Sequence, residues 1–153
     1  MTETTAAGAK FSIGPANSVA NDATAYAALT YVEVGNIVDI EGAGDTFDPV
    51  TTDQLGDRRT KTLKGQKKGG TPRVVYDFDD SDTGQTNLKA AAASDSQYAI
   101  KIELDNSGGT NGSTFYARVL VMGAPITIGT ANNMVRRAVQ LAINSDTVEV
   151  AAA

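Results

Sequence analysis

The segment 97–122, QYAIKIELDNSGGTNGSTFYARVLVM, carries the clearest fold signal in the chain. Its first part alternates apolar and charged residues, which is typical of a strand with one buried face. The part 114–122 is apolar on both faces, which predicts a central or interface strand. The polar, glycine-rich residues 106–113 between them predict a hairpin turn. The residues expected to face inward are Tyr98, Ile100, Ile102 and Leu104, and those expected to face outward are Lys101, Glu103 and Asp105.

Shorter stretches with the same two-residue period predict further strands around this hairpin. The segments 32–40 and 72–79 show the period best, and five other stretches show it more weakly. The shared faces comprise Val32, Val34, Val38 and Ile40 in the first segment and Val74, Tyr76 and Phe78 in the second, while the weaker strands are expected near 10–14, 59–65, 126–129, 135–143 and 147–150.

One helix is predicted at about 83–94, because capping and acidic residues at 80–83 precede a run of strong helix formers. The order is several strands, one helix and then strands again. This order predicts a mainly β (α+β) fold, an antiparallel β-sandwich or barrel with one flanking helix and a long inter-strand loop. We expect a single domain over 1–153, with loose ends at 1–8 and 151–153.

Composition narrows the classes of function open to this chain. It has 153 residues, no cysteine and no histidine, so thiolate metal sites and Cys- or His-based catalytic dyads are excluded. Its net charge of −5 disfavours general affinity for DNA or anionic membranes. No secretory leader and no apolar run of about 20 residues is visible, so we expect a soluble protein made in a cytoplasm, with no membrane partner.

Three features of the sequence suggest a functional site by residue type or spacing. The segment 77–84 looks like a calcium loop, but position 6 is Asp82 and position 12 is Leu88, so a strand end followed by a helix cap fits better. Paired carboxylates allow a glycosidase pair, although the chain has no Trp to line a sugar cleft. The GQKKGG run at 65–70 fits no phosphate-binding motif. We therefore expect no enzyme activity, no cofactor and no metal.

Charge is arranged in blocks along the chain. Segment 33–57 holds acids and no base, segment 58–73 holds bases and no acid, and acids return at 77–82. Two readings are open: an ordinary charged loop and hairpin, or a polar surface that meets an oppositely charged copy of itself. The block members are Glu33, Asp39, Glu41, Asp45, Asp48, Asp53 and Asp57, then Arg58, Arg59, Lys61, Lys64, Lys67, Lys68 and Arg73, then Asp77, Asp79, Asp80 and Asp82.

The segment 41–58, EGAGDTFDPVTTDQLGDR, has little regular pattern and is predicted to be a long loop. Loops of this length are uncommon in compact domains unless they are functional or disordered. Phe47, Val50 and Leu55 are spaced through it. A purely solvated loop needs no such apolar residues, so they favour docking on a partner.

From about Tyr31 to Val150, the chain resembles the tail tube (major tail) proteins of long, non-contractile-tailed bacteriophages, the siphophages, in the order and spacing of its motifs. No single motif carries the resemblance. The motifs are YVEVGNIVDIEG at 31–42, an acidic loop, RRTKTLKGQKKGG at 58–70, RVVYDFDDSDTGQTNLKAAA at 73–92, YAIKIEL at 98–104 and FYARVLVMGAPITIGTANNMVRRAVQLAINSDTVEV at 115–150.

The resemblance implies a β-sandwich or barrel with one helix on its flank, which agrees with the pattern of strands. It also implies a structural virion protein whose copies form six-fold rings that stack into a hollow tail tube. Genomic DNA would pass through the lumen without specific binding. The implied partners are further copies of the chain, a tape-measure protein, and tail terminator and distal tail or baseplate proteins, with assembly in the host cytoplasm.

In this family the long loop reaches toward the adjacent ring. The corresponding loop here covers about 41–70. Alternatives are the inner-tube protein of a bacterial type VI-like secretion machine, which shares the fold, and a β-sandwich binding module. Low aromatic content disfavours sugar binding, and net charge disfavours DNA binding. The residues expected at contacts between rings or subunits are Asp45, Phe47, Asp48, Asp53, Asp57, Arg58, Arg59, Lys61, Lys64, Lys67, Lys68, Asp77, Asp79 and Asp80.

Overall fold

The computed structural model describes residues 7–16, 22–42, 44–104 and 112–151. Within these ranges the chain is mainly β, with antiparallel strands and few helices, which confirms the predicted fold class. The elements in chain order are β1 (Lys10–Ala16), α1 (Ala23–Ala27), β2 (Val32–Val34), β3 (Ile37–Glu41), β4 (Thr46–Thr52), β5 (Lys61–Lys68), β6 (Arg73–Asp77), α2 (Thr83–Ala92), β7 (Gln97–Glu103), β8 (Thr114–Gly123), β9 (Ile126–Thr127), β10 (Arg136–Ile143) and β11 (Val148–Val150).

The described strands form one nine-stranded sheet and one separate two-stranded sheet. The large sheet has the order β2-β1-β7-β8-β10-β6-β3, with β11 paired to β8 and β9 paired to β10. The predicted hairpin of 97–122 is confirmed, because β7 pairs along its whole length with residues 114–120 of β8 near the centre of the sheet. Its connecting residues 105–111, including Asp105, lie outside the described residues.

Strands β2 and β3 lie at the two ends of this strand order, yet only Gly35 and Asn36 separate them in sequence. In a flat sheet, six inter-strand spacings of about 4.8 Å would hold them about 29 Å apart. The three residue steps from Val34 to Ile37 reach at most about 11 Å. The sheet must therefore curl until its two ends approach each other, which gives a barrel-like shape.

Helix α2 fixes this closure through its first turn. Asp82 is the N-cap, and its carboxylate accepts hydrogen bonds from Gln85 N at 3.0 Å and Gly35 N at 3.1 Å. The Gln85 amide is buried; it donates to the carbonyl oxygens of Gly35 (3.1 Å) and Asp77 (3.0 Å) and accepts from Asp79 N (2.9 Å). One side chain thus joins the β2–β3 connection to the end of β6. The cap predicted for segment 77–84 is confirmed.

The interior of the curled sheet holds the main core. Leu88 and Ala91 of α2 are fully buried against it, and burying a Leu side chain contributes about 1.5–3 kcal/mol. A smaller cluster lies on the other face of β7 and β8, where the Tyr26 ring of α1 stacks on Tyr116 at 5.6 Å. The strand residues of the main core are Phe11, Ile13, Val34, Val74, Tyr76, Ile100, Ile102, Ala117, Val119, Val121, Val139, Leu141 and Ile143.

The segment 32–40 is not the single strand that its period predicts. Asn36 adopts a left-handed conformation, with φ 61°, and the chain leaves β1 for β6 at this point. The alternation restarts after the break, so Val34 and Ile37 contact the core whereas Val38 is 46% exposed. The prediction that Val38 shares the buried face is therefore wrong.

The structure differs from the sequence-based expectation at two further elements and at one side chain. The segment 41–58 is not an irregular loop, because residues 46–52 form β4. The helix α1 was not predicted, and it accompanies the predicted helix, which is α2. Phe78 follows the end of β6 and is 39% exposed, while Val74 and Tyr76 are buried as predicted. The loose ends expected at 1–8 and 151–153 lie largely outside the described residues.

We expect Gly84→Ala to destabilise the protein, although Ala normally favours a helix over Gly. A Cβ at residue 84 would overlap the Glu33 carbonyl and lie 2.7 Å from Val34 Cα, so α2 would be pushed off β2. Overpacking of this kind costs about 1–3 kcal/mol. The measurement is thermal unfolding followed by circular dichroism.

Gly123→Ala is the matched control, because a Cβ at residue 123 has no heavy atom within 4 Å. Equal melting temperatures for the two variants would contradict the close packing of α2 on β2.

Candidate interaction surface

The two-stranded sheet is a hairpin, β4–β5, that carries most of the predicted contact residues. Its register pairs Thr46 with Lys68 and Val50 with Leu63. The pairing shifts by one residue near Gly65, where a Cβ would lie 2.7 Å from the Asp48 carbonyl oxygen. This bulge requires glycine, and the hairpin places much of the acidic block opposite the basic block.

Several of these opposite charges pair within the chain. Lys68 Nζ lies 2.8 Å from the Asp48 carboxylate, and Lys61 Nζ lies 2.9 Å from that of Asp57. Asp53 accepts a hydrogen bond of 2.6 Å from the Thr60 hydroxyl. These groups are largely exposed, and exposed ion pairs contribute about 0–1 kcal/mol each. The hairpin therefore partly neutralises its own charge.

A second set of contacts connects the base of the hairpin to the loop between β10 and β11. Lys67 Nζ lies 2.7 Å from Asp146 Oδ1 and 3.4 Å from Asp45 Oδ2. Asp45 Oδ2 also accepts a long hydrogen bond of 3.5 Å from Thr147 N. The hydrogen bond to Asp146, supported by Asp45, raises the pKa of Lys67 above its ordinary value. Lys67 thus stays charged and holds the hairpin against the large sheet.

Three cations of the hairpin lack a carboxylate partner among the described residues: Arg58, Arg59 and Lys64. Both arginines lie in the exposed connection between β4 and β5. Lys64 Nζ lies 4.9 Å from the centre of the Phe47 ring, in cation–π range. The end of the hairpin away from the barrel therefore presents two arginines that can bind carboxylates of another molecule.

Apolar side chains accompany these cations. Phe47 is 44% exposed, Val50 52%, Leu63 63% and Leu55 fully exposed. Val50 and Leu63 are a cross-strand pair, so their side chains lie together on one face. A solvated hairpin gains nothing from exposing four large apolar residues. The surface has both the charge and the apolar area of a docking element.

The three other predicted contact residues lie elsewhere, near the N-terminus of α2. Asp77 binds Arg136, with 2.9 Å between Oδ1 and Nε, and Asp79 accepts hydrogen bonds from Ser81 N (3.0 Å) and Oγ (2.7 Å). Asp80 is exposed. These bonds to Ser81 lower the pKa of Asp79, so this carboxylate is ionised at neutral pH.

The distance between the two groups follows from the sheet. Ile143 N donates to Gly70 O, so the pairing of β6 with β10 extends back to the base of the hairpin. Seven residue steps from Gly70 to Asp77 span about 23 Å at 3.3 Å each. The base of the basic hairpin and the acids after β6 therefore lie at opposite ends of one strand.

Sequence reasoning missed two contributors to this surface. Asp146 binds Lys67 from 79 residues away, and nothing local in the sequence marks that pairing. Leu63 was not singled out, although its place in a predicted strand beside polar neighbours was a usable signal of exposure.

No group of three or more His, Cys, Asp or Glu side chains arranged to hold a metal occurs in the described part of the chain. Among the helices described, none is both long enough and apolar enough to cross a membrane.

Comparison with known proteins gives similarity in fold but none in sequence. No protein-family model matches the chain, and no curated protein matches it. The sheath/tube terminator of an extracellular contractile injection system, PVC, superposes with a TM-score of 0.71 at 11% identity, over 99% of each chain. The SPP1 tail tube gives 0.65 at 10% identity, over 94% of this chain and 76% of that one. A type six secretion system protein gives 0.56 at 12% identity, over 94% and 91%. The chain therefore has the fold of tube proteins from phage tails and injection systems.

We expect Ser81→Ala to raise the pKa of Asp79 toward its ordinary value, because two of the carboxylate's contacts involve Ser81 and one is its hydroxyl. A carboxylate whose pKa is lowered by folding stabilises the protein above its unfolded-state pKa, and this stabilisation is lost as pH falls through the folded-state pKa. The variant should lose less stability on acidification. The measurement is an NMR titration of the Asp79 carboxyl carbon.

Ser96→Ala serves as the control, because Ser96 is exposed and lies beyond α2. An unchanged Asp79 titration in Ser81→Ala would show that the hydroxyl does not stabilise the carboxylate.

Proposed function

We propose that this chain is a structural subunit that assembles with copies of itself into a tube. The observation that carries the proposal is the hairpin β4–β5, which exposes unpaired arginines and apolar side chains at one end of the molecule. Acids at the opposite end of β6 offer the complementary charge. The fold shared with tube and terminator proteins supports the same role.

Complementary ends favour head-to-tail contact between copies. A surface that binds a different surface of the next copy makes a heterologous contact, which propagates as a ring or an open-ended stack. Arg58 and Arg59 can each form two parallel hydrogen bonds with a carboxylate, a geometry that lysine cannot make. We infer that they bind Asp79 or Asp80 of the next copy along the stack.

Lateral contact within a ring needs a second surface, and β8 offers one. Tyr26 and Tyr31 pack over its outer face around Tyr116, while Met122 near the other end of the strand is 60% exposed. A second apolar area lies around a surface cavity of about 580 Å³ next to Val38 and Met134, which are 46% and 62% exposed. Both areas are available for side-by-side association.

The more specific proposal is a siphophage tail tube made of stacked hexameric rings, in the virion, whose lumen conducts DNA during ejection. Its partners would be a tape-measure protein during assembly and terminator and baseplate proteins at the tube ends. The role is structural rather than enzymatic. In such a tube the hairpin arginines contact protein, because exposed cations in a lumen would hold phosphates by counterion release and impede sliding.

A second candidate is the inner tube of a contractile injection or type VI-like secretion machine. The similarity to the sheath/tube terminator and to the type six secretion system protein supports this candidate equally. A neighbouring gene for a tape measure would favour the phage, and one for a contractile sheath would favour the secretion machine.

Assembly itself is the direct test. We expect the purified chain to form rings or tubes as its concentration rises, visible by negative-stain microscopy and as a rising sedimentation coefficient. Met122 of β8 and the exposed apolar residues of the hairpin supply the apolar area. A protein that stays monomeric across concentration and salt would contradict the proposed function.

Reversing the charge of both hairpin arginines, Arg58→Glu with Arg59→Glu, should block stacking and leave the monomer folded. These side chains are exposed and unpaired in the described chain, so folding does not depend on them. One exposed ion pair contributes only about 0.2–1 kcal/mol, but a ring repeats the loss in every subunit. The measurement is tube length by microscopy, with circular dichroism of the same sample.

The control is Lys10→Glu with Lys89→Glu, which changes net charge equally but lies away from the hairpin. Tubes of normal length from the arginine variant would refute the stacking role. A lost dichroism spectrum would show instead that the arginines stabilise the monomer.

A further inference from the structure

Glycines lie in both links between the hairpin β4–β5 and the large sheet. Gly42 and Gly44 precede β4, with φ of 74° and 139°, and Gly70 follows β5 with φ of 83°. Each link therefore contains glycine at positive φ, a conformation that residues with a side chain rarely adopt. Glycines at both links are what we expect of a two-sided hinge.

Backbone pairing does not hold the hairpin to the rest of the described chain. The strands β4 and β5 pair only with each other, and the ladder of the large sheet ends at the bond from Ile143 N to Gly70 O, 3.1 Å long. A surface cavity of about 690 Å³ lies beneath the base of the hairpin. Side chains must therefore set the direction in which the hairpin points.

Lys67 makes the shorter of two side-chain contacts across this link, 2.7 Å to Asp146, beside the long hydrogen bond of 3.5 Å from Thr147 N to Asp45. Its ammonium group bridges Asp45, at the start of the hairpin, and Asp146, in the loop between β10 and β11. The neighbouring Lys68 binds Asp48, which is part of the hairpin itself. Of these two adjacent lysines, one pairs across the hinge and the other pairs within the arm.

We propose that the hairpin is a hinged arm and that the Lys67–Asp146 ion pair is the latch that fixes its direction in the free subunit. Breaking the latch lets the arm rotate about the glycines while its two strands stay paired. The use of the arm to bind the next copy rests on the proposed function, whereas the hinge and latch are properties of the single chain.

The latch matters for assembly because it reduces the conformational freedom that docking would otherwise have to remove. An arm that already points at its partner loses less entropy on binding than a free one. The ion pair is solvent-exposed, with relative side-chain exposures of 42% and 65%, so salt will weaken it. Arm direction should therefore depend on ionic strength in the unassembled protein.

The experiment measures the distance from arm to barrel in dilute, unassembled protein. The chain has no cysteine, so Thr51→Cys on β4 and Lys89→Cys on α2 accept two spin labels with no background. Pulsed electron–electron double resonance should give a single narrow peak in the distribution of distances between the two labels at low salt. Asp146→Asn breaks the latch and leaves Arg58 and Arg59 unchanged, and it should abolish the narrow peak.

Asp48→Asn is the matched control, because it removes a lysine–carboxylate pair of the same length, 2.8 Å against 2.7 Å, that lies within the arm. It should keep the narrow peak, while Lys67→Gln and 1 M salt should broaden it as Asp146→Asn does. A peak that stays narrow in Asp146→Asn and Lys67→Gln would overturn the latch, as would equal broadening in Asp48→Asn.

Assembly then separates this inference from the proposed function. If the latch pre-orients the arm, Asp146→Asn should raise the concentration needed for tubes by up to about five-fold, within the range of one exposed ion pair. A wild-type protein that forms no tubes but shows the latched peak would refute the tube function alone. A broad wild-type peak at low salt would refute the latch alone.

Discussion

The two-residue connection between β2 and β3 is the constraint on which the rest of the structure depends. It ties together strands that a flat sheet would hold about 29 Å apart, so the sheet has to curl. The bend is secured by partly buried hydrogen bonds, since Gln85 and Asp82 bind Gly35 from the first turn of α2. A buried amide with all its groups paired specifies one geometry, because any slip leaves polar groups unsatisfied. Closure in turn sets where β6 begins and ends, and hence which end of the molecule carries the hairpin.

Much of this fold could be predicted from the sequence, and the failures have local causes. The alternation in 97–104 and the capped alanine run of α2 are strong because one face of each element is buried in the chain itself. The prediction that Val38 is buried failed because a two-residue period assumes an unbroken strand. The left-handed Asn36 interrupts the strand and resets the alternation. The strand β4 was missed because both its faces are exposed, so no alternation marks it. Neither the conformation of Asn36 nor the pairing of β4 with β5 is visible in a two-residue period.

The charge blocks show a different limit of sequence reasoning. Separate acidic and basic runs are consistent with pairing in one chain or between chains, because the pattern does not state which acid faces which base. The hairpin settles part of the question: Lys61, Lys67 and Lys68 bind carboxylates of their own chain. Arg58 and Arg59 have no such partner in the described residues. The sequence could locate the basic segment, but only the pairing of β4 with β5 separates its structural lysines from its available arginines.

Rigid and adjustable parts are combined in this molecule in a way that suits repeated assembly. The closed sheet holds the acids after β6 at a fixed distance from the hairpin base, so any error in that spacing is small. The hairpin is joined through glycines and exposed ion pairs, whose contributions are individually small and sensitive to salt. A contact repeated along a stack must tolerate small differences in the angle between copies, and a stiff arm would accumulate strain from one copy to the next. Placing the adjustable joint at the arm, and the polar network of Gln85 and Asp82 at the barrel, would confine that tolerance to the proposed docking surface.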